Sequence, residues 1–209
     1  MVALIYCQDG NPRLAGIAVQ AGFLYGVRGT QTPYHAPAFI DLDWRRPDFD
    51  AHLERCRQWR PRFAVAGDAV DDDELALVLA QAGKLRAVVS EVIVVPKGAG
   101  MVERIPEEYV VGLSVPTRFG ATQAPFWEYR GRRVHLLGGA PQKQLRLAAL
   151  LGPGVVSVDG NSHLKASRYG DVWQGGGWQP SPDAGPDFLY RTFARSCANI
   201  AAAWAARAP

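Results

Sequence analysis

Asp41 and Asp43 stand two residues apart in the run Phe39-Ile40-Asp41-Leu42-Asp43. In an extended chain that spacing sends both side chains to the same side. Two carboxylates held close together do not ionise together at their ordinary pH. One keeps its proton and can act as an acid, while the other serves as a base or nucleophile. Either residue can instead cap a helix or close a turn. Asp159 ends a second apolar run in Val155-Val156-Ser157-Val158-Asp159-Gly160-Asn161. A carboxylate there suits a nucleophile, a general base or a metal ligand, and Asp-Gly also suits a plain turn. Lys97 follows Val92-Ile93-Val94-Val95-Pro96 and can serve a Schiff base, a phosphate or a partner carboxylate. The candidate catalytic residues are therefore Asp41, Asp43, Asp159 and Lys97.

A second group could hold a substrate: Asp68, Ser114, Thr117, His135, Gly138, Gly139 and Asn161. Gly138 and Gly139 join an apolar run to a helix that starts at Pro141. Free N–H groups at such a start attract anions, and a tight turn needs the same glycines with no ligand at all. His135 lies between apolar neighbours and is either a satisfied core residue or a substrate contact. Aromatic residues near the run ends, Tyr25, Trp44 and Trp127 among them, are core residues or stacking surfaces for a base.

No metal or other cofactor is expected. Cys7, Cys56 and Cys197 are an odd number at distant positions, with no paired spacing to hold zinc. Cys56 and Cys197 fall on apolar helical stripes and read as small buried thiols. His35, His52 and His163 show no metal-binding spacing.

These residues depend on eight short apolar runs, at 3–7, 22–27, 38–41, 62–66, 92–96, 110–115, 133–137 and 155–158. Most are continuous rather than alternating, the pattern of strands covered on both faces. Amphipathic stretches at 48–59, 72–82, 141–151 and 187–206 read as helices between or after them. Strands alternating with helices imply a parallel sheet, and eight of them imply an α/β fold: a small TIM-like (β/α)₈ barrel. At 209 residues the chain is short for that fold, so several helices should be reduced to loops, with 9–21 and 29–37 as the places. An open doubly wound sheet is the alternative, without a glycine fingerprint after the first strand. The glycine-rich stretch 175–185 reads as a surface loop. In a barrel the working residues lie at the C-terminal strand ends. The first such end is Cys7-Gln8-Asp9.

With 48% hydrophobic and 21% charged residues the chain reads as one globular domain over 1–209. The formal net charge of +3, with scattered arginines, permits a nucleotide or nucleic-acid partner without requiring one. The N-terminus lacks a basic segment and a sustained apolar run, so a cytoplasmic protein with no membrane partner is expected.

The series Val92 to Lys97, Val111-Gly112-Leu113-Ser114-Val115-Pro116-Thr117, Val134-His135-Leu136-Leu137-Gly138-Gly139 and Val155 to Asn161 resembles, in order, the later barrel strands of tRNA-guanine transglycosylase-like proteins. That group includes the branch that places deazaguanines in DNA. Phe39 to Asp43 is similar in position to that family's acidic front-strand motif. The resemblance spans about two thirds of the chain and is one of topology. It implies base exchange at a glycosidic carbon, with Asp159 as nucleophile, Asp41 as acid and base, and Gly138 and Gly139 as the loop that holds the base or a phosphate. The family's zinc-binding Cys/His cluster has no counterpart here. The pattern is also like that of uncharacterised short bacterial and phage proteins.

Three functions stay open on the residues alone. One is a glycosyltransferase or hydrolase at the N-glycosidic bond of a nucleotide or nucleic acid. Another is a metal-dependent phosphohydrolase or nuclease that uses Asp41, Asp43, Asp68 and Asp159 as oxygen ligands. The third is a barrel that binds a nucleotide or a partner without catalysis, which an unperturbed set of carboxylates would favour.

Overall fold

The computed structural model describes residues 1–7, 11–117 and 122–207. Its centre is a closed parallel barrel in chain order: β1 (Ala3–Cys7), β2 (Leu24–Arg28), β3 (Phe39–Asp41), β4 (Phe63–Ala69), β5 (Glu91–Pro96), β6 (Val110–Ser114), β7 (Val134–Leu137) and β8 (Val155–Asp159), with β8 returning to pair with β1. The fold is the (β/α)₈ barrel that the apolar runs imply. Every expected strand forms, with ends shifted by a few residues at most.

The helices are α1 (Pro12–Gln20), α2 (Phe49–Trp59), α3 (Asp72–Arg86), α4 (Pro141–Leu151), α5 (Ser162–Arg168) and α6 (Phe188–Ala205). The stretch 9–21, expected as a loop, contains α1. Asn11 caps it by accepting the Arg13 and Leu14 N–H groups, and Pro12 fills its first turn. The stretch 29–37 is non-helical, as expected. The glycine-rich stretch 175–185 is not simply a loop, because β10 (Gly177–Pro180) pairs antiparallel with β9 (Asp171–Gln174). No helix among the described residues is long and apolar enough to cross a membrane.

Ile5, Phe39, Phe63, Val65, Ile93, Val95 and Val110 fill the barrel interior, and a larger apolar shell lies between the strands and the helices. Such a narrow barrel leaves no room for large side chains from every strand in one layer. A Cβ at Gly26 would lie 2.9 Å from the Phe39 ring, and one at Gly112 would lie 2.7 Å from Val95 and 2.8 Å from Leu137. Glycine at position 26 leaves room for the Phe39 ring, which stacks on His135 across the interior, ring centroids 5.5 Å apart. Near the start of the strands, Arg133 makes two bonds to Glu91, at 2.7 and 2.6 Å.

Two strands carry an extra residue. On β4 the pairing with β5 slips between Val65 and Gly67, so Asp68 rather than Gly67 takes the register of inward-facing Val95. On β8 the pairing with β7 slips after Val155, which puts Ser157 opposite inward-facing His135. Asp159, two residues on, follows the same side. Bulges are uncommon between parallel strands and occur where a side chain must be re-aimed.

Candidate functional site

The last inward positions of most strands carry polar groups, whereas the deeper layers are apolar apart from His135 and Ser157. Arg28 and Asp41 are register partners at the ends of β2 and β3. Asp68 comes from the bulged β4, Lys97 directly follows β5, Ser114 ends β6 and Asp159 ends β8. An open cavity of about 370 Å³ at this mouth is lined by Cys7, Arg28, Asp41, Gly138, Asp159, Gly160, Asn161 and Lys165. Asp41, Gly138, Asp159 and Asn161, named from the sequence, therefore come together. Gln8 and Asp9, named at the first strand end, lie outside the described residues.

Asp159 is held from three directions. Its Oδ1 accepts the Gly138 N–H at 2.8 Å. The Gln144 amide donates to the Asp159 carbonyl at 2.7 Å and to the Gly138 carbonyl at 2.8 Å, tying the two strand-end loops together. Beneath it, His135 Nε2 lies 3.4 Å from Oδ1, within ion-pair distance but out of hydrogen-bond line, and His135 Nδ1 meets Ser157 Oγ at 2.8 Å. His135 is thus a fully buried support under Asp159.

The glycine loop works on the protein's own carboxylate. Gly138 (φ 64°) and Gly139 (φ 81°) both need the left-handed conformation that favours glycine. A Cβ on Gly139 would also collide with Val115. The group held by the Gly138 N–H is the Asp159 side chain.

Asp41 is the perturbed group. Burial raises its pKa well above the usual 3.8, and the Asp159 and Asp68 carboxylates raise it further; Arg28 opposes and Asp43 adds a smaller push. Asp41 keeps its proton in a pH range where exposed carboxylates have lost theirs.

Asp68, Lys97 and Ser114 form an adjoining cluster. Lys97 Nζ donates to Ser114 Oγ at 2.6 Å and lies 3.1 Å from Asp68 Oδ2. Asp68 touches the first group through its field on Asp41. Asp43 lies past the end of β3, where it accepts the Arg45 N–H at 3.1 Å in a turn. Thr117 is exposed beyond β6, and Gly139 packs against Val115 behind the cavity.

The sequence reading omitted Arg28, Lys165 and Gln144. Arg28 is the residue directly after the run 22–27, so one more strand position would have included it. Lys165 sits on α5 and Gln144 on α4, and nothing local in the sequence marks either as facing the mouth. The three thiols lie apart: Cys7 at the mouth, and Cys56 and Cys197 buried on α2 and α6. Among the described residues, no three His, Cys, Asp or Glu side chains gather as a metal-holding group.

Among solved structures, the chain is similar to N-(5'-phosphoribosyl)anthranilate isomerase from Pyrococcus furiosus, at 14% identity and a TM-score of 0.38, covering 95% of this chain and 100% of that one. No curated protein matches the chain. Residues 18–205 match the model of a family of unknown function, DUF6610, and the chain belongs to that family.

Proposed function

We propose that the chain is an enzyme that cleaves the N-glycosidic bond of a nucleotide or nucleic acid, by base exchange or hydrolysis. The observation that carries this reading is the unequal setting of two carboxylates in one cavity. Asp159 accepts a backbone N–H, and Asp41 is driven to hold its proton. A held acid beside an oriented carboxylate is the pairing that glycosidic chemistry uses.

In the proposed reaction the Asp159 carboxylate attacks the glycosidic carbon as the carbon–nitrogen bond breaks. Asp41 gives its proton to the departing base nitrogen, so the base leaves neutral. The glycosyl ester on Asp159 is then released by an incoming base or by water, whose proton returns to Asp41. Lys97, Ser114 and Asp68 form a polar flank for the sugar or base, and Asn161 offers an amide at the mouth.

The perturbed Asp41 weighs against a barrel that only binds. For the metal-dependent reading, Asp68 is engaged with Lys97 and Asp43 with its own turn, so the four aspartates do not act as one ligand set. The test is base release or exchange on nucleosides, nucleotides, tRNA and DNA, with and without EDTA. Activity that survives EDTA and disappears in Asp159→Asn supports the proposal. Activity abolished by EDTA favours the phosphohydrolase reading, and full turnover by Asp159→Asn overturns the nucleophile.

A further inference from the structure

Ser157, His135 and Asp159 carry the groups of a serine–histidine–aspartate relay. Ser157 Oγ meets His135 Nδ1 at 2.8 Å, and His135 Nε2 lies 3.4 Å from Asp159 Oδ1. In a relay that activates serine, the hydroxyl faces the substrate and the carboxylate is buried behind the ring. Here exposure runs the opposite way. Ser157 and His135 are fully buried, whereas Asp159 keeps 14% of its side chain exposed at the mouth. Ser157 cannot reach a ligand, so the carboxylate is the end of this chain of groups that can.

The position of the ring hydrogen follows from what each nitrogen faces. His135 Nε2 is buried and has no hydrogen-bond partner among the described residues. A bare lone pair on Nε2 would oppose the Asp159 oxygen, setting two acceptors against each other in a low-dielectric interior. A hydrogen on Nε2 turns that opposition into attraction. Nδ1 then carries the lone pair, and the rotatable Ser157 hydroxyl donates to it. Two neighbours keep the ring in this orientation. It stacks on Phe39 with the planes 22° apart, and the slip in β8 holds Ser157 opposite it.

We infer that His135 is a positioning residue for Asp159: Ser157 fixes the imidazole with its N–H toward Oδ1, beside the Gly138 N–H, and Oδ2 is left as the oxygen that meets the substrate. Lying off the line of a hydrogen bond, the ring N–H attracts Oδ1 without displacing the Gly138 bond. In the proposed reaction these two donors stabilise the negative charge that returns to Asp159 when the glycosyl ester is released, and they are in place before it forms. This role rests on the reading of Asp159 as the nucleophile.

Long-range proton–nitrogen NMR of histidine-labelled protein in mildly alkaline buffer reads the tautomer directly. The His135 signals are identified by their loss in His135→Gln and their response to Ser157→Ala. Wild type should show a hydrogen on Nε2 and a bare Nδ1, and Ser157→Ala should move the Nδ1 signal while Nε2 keeps its hydrogen. A hydrogen on Nδ1, alone or together with Nε2, overturns the assignment. Base release gives a second measure. His135→Phe, whose ring can still stack on Phe39, should lower kcat about tenfold or more with KM unchanged. His135→Gln keeps an N–H donor and should recover most of that loss. Equal rates in the two folded variants overturn the positioning role, and the wild-type spectrum decides where His135→Phe does not fold. The expected tautomer with no base release by wild type removes the catalytic reading and leaves the arrangement around Asp159 standing. Base release by wild type with a hydrogen on Nδ1 does the reverse.

Discussion

The backbone N–H of Gly138 donates to Asp159 Oδ1 at 2.8 Å, so the loop after β7 orients the carboxylate at the end of β8. That one bond links a glycine chosen for its backbone to an aspartate placed for its charge. Asp159→Asn keeps an oxygen that can accept the same bond and removes the charge. The variant should fold like wild type, within about 1 kcal/mol by urea denaturation. It should lose roughly 10³-fold or more in base release, as expected for a group that acts in the reaction itself.

Asp41 makes stability depend on pH in a defined direction. The folded chain binds this proton more tightly than the unfolded chain, whose carboxyl titrates near 3.8. The contribution is fully present below pH 3.8 and is lost as pH rises through the folded value. Asp41→Asn removes that loss and should be more stable than wild type at pH 7. The gain should shrink to nothing near pH 3.8, as read from urea midpoints across a pH series. The same substitution should slow catalysis.

Two buried histidines act the other way. Burial lowers His163 from 6.5 to about 3 and His52 from 6.5 to about 4. Each stays neutral in the folded chain and binds a proton on unfolding. Their contribution is present above pH 6.5 and lost as pH falls through those folded values. His163 stacks on Phe193 at 5.1 Å with the rings 6° from parallel, so Phe can occupy its place. His163→Phe should show a shallower loss of stability than wild type between pH 6.5 and 4.

Gly139→Ala tests the loop that presents Asp159. The position has a φ of 81°, and the new Cβ would lie 2.7 Å from Val115 Cβ. Stability should fall by about 1–3 kcal/mol, and activity should fall with it as the loop shifts. Adding Val115→Ala removes the Cγ1 contact but keeps Cβ, so it should recover only part of the collision cost and leave the backbone strain in full. Thermal melts of both single variants and the double variant measure the part recovered.

The eight strands were legible because each is a compact apolar run, a pattern that burial on both faces imposes. The long helices were legible through their stripes. α1 was missed although Asn11 and Pro12 form a start signal and Leu14, Ala15 and Ala18 give it a buried face, because a chain this short for the fold was expected to replace some helices by loops. α5 and the β9–β10 hairpin were missed because seven- and four-residue elements carry too little periodicity to register. The strand-end rule placed Asp41, Asp159, Gly138 and Asn161 around one cavity. It included Asp43 by assuming that β3 continues to that residue, whereas the chain turns after Asp41. The depth of His135 followed from its apolar neighbours. Its place directly under Asp159 did not, because that depends on pairing between β7 and β8.

The slips in β4 and β8 bear on how such a site arises and disappears. A strand shows alternate residues to its two sides, so one added residue turns everything after it from one side to the other. Asp68 and Asp159 owe their inward aim to such added residues, not only to being aspartates. A relative lacking one residue in 65–67 or 155–157 would retain every acidic residue and yet present the acid of that strand to the surrounding helices. For the proposed site, strand length just before each aspartate therefore matters as much as the aspartate itself.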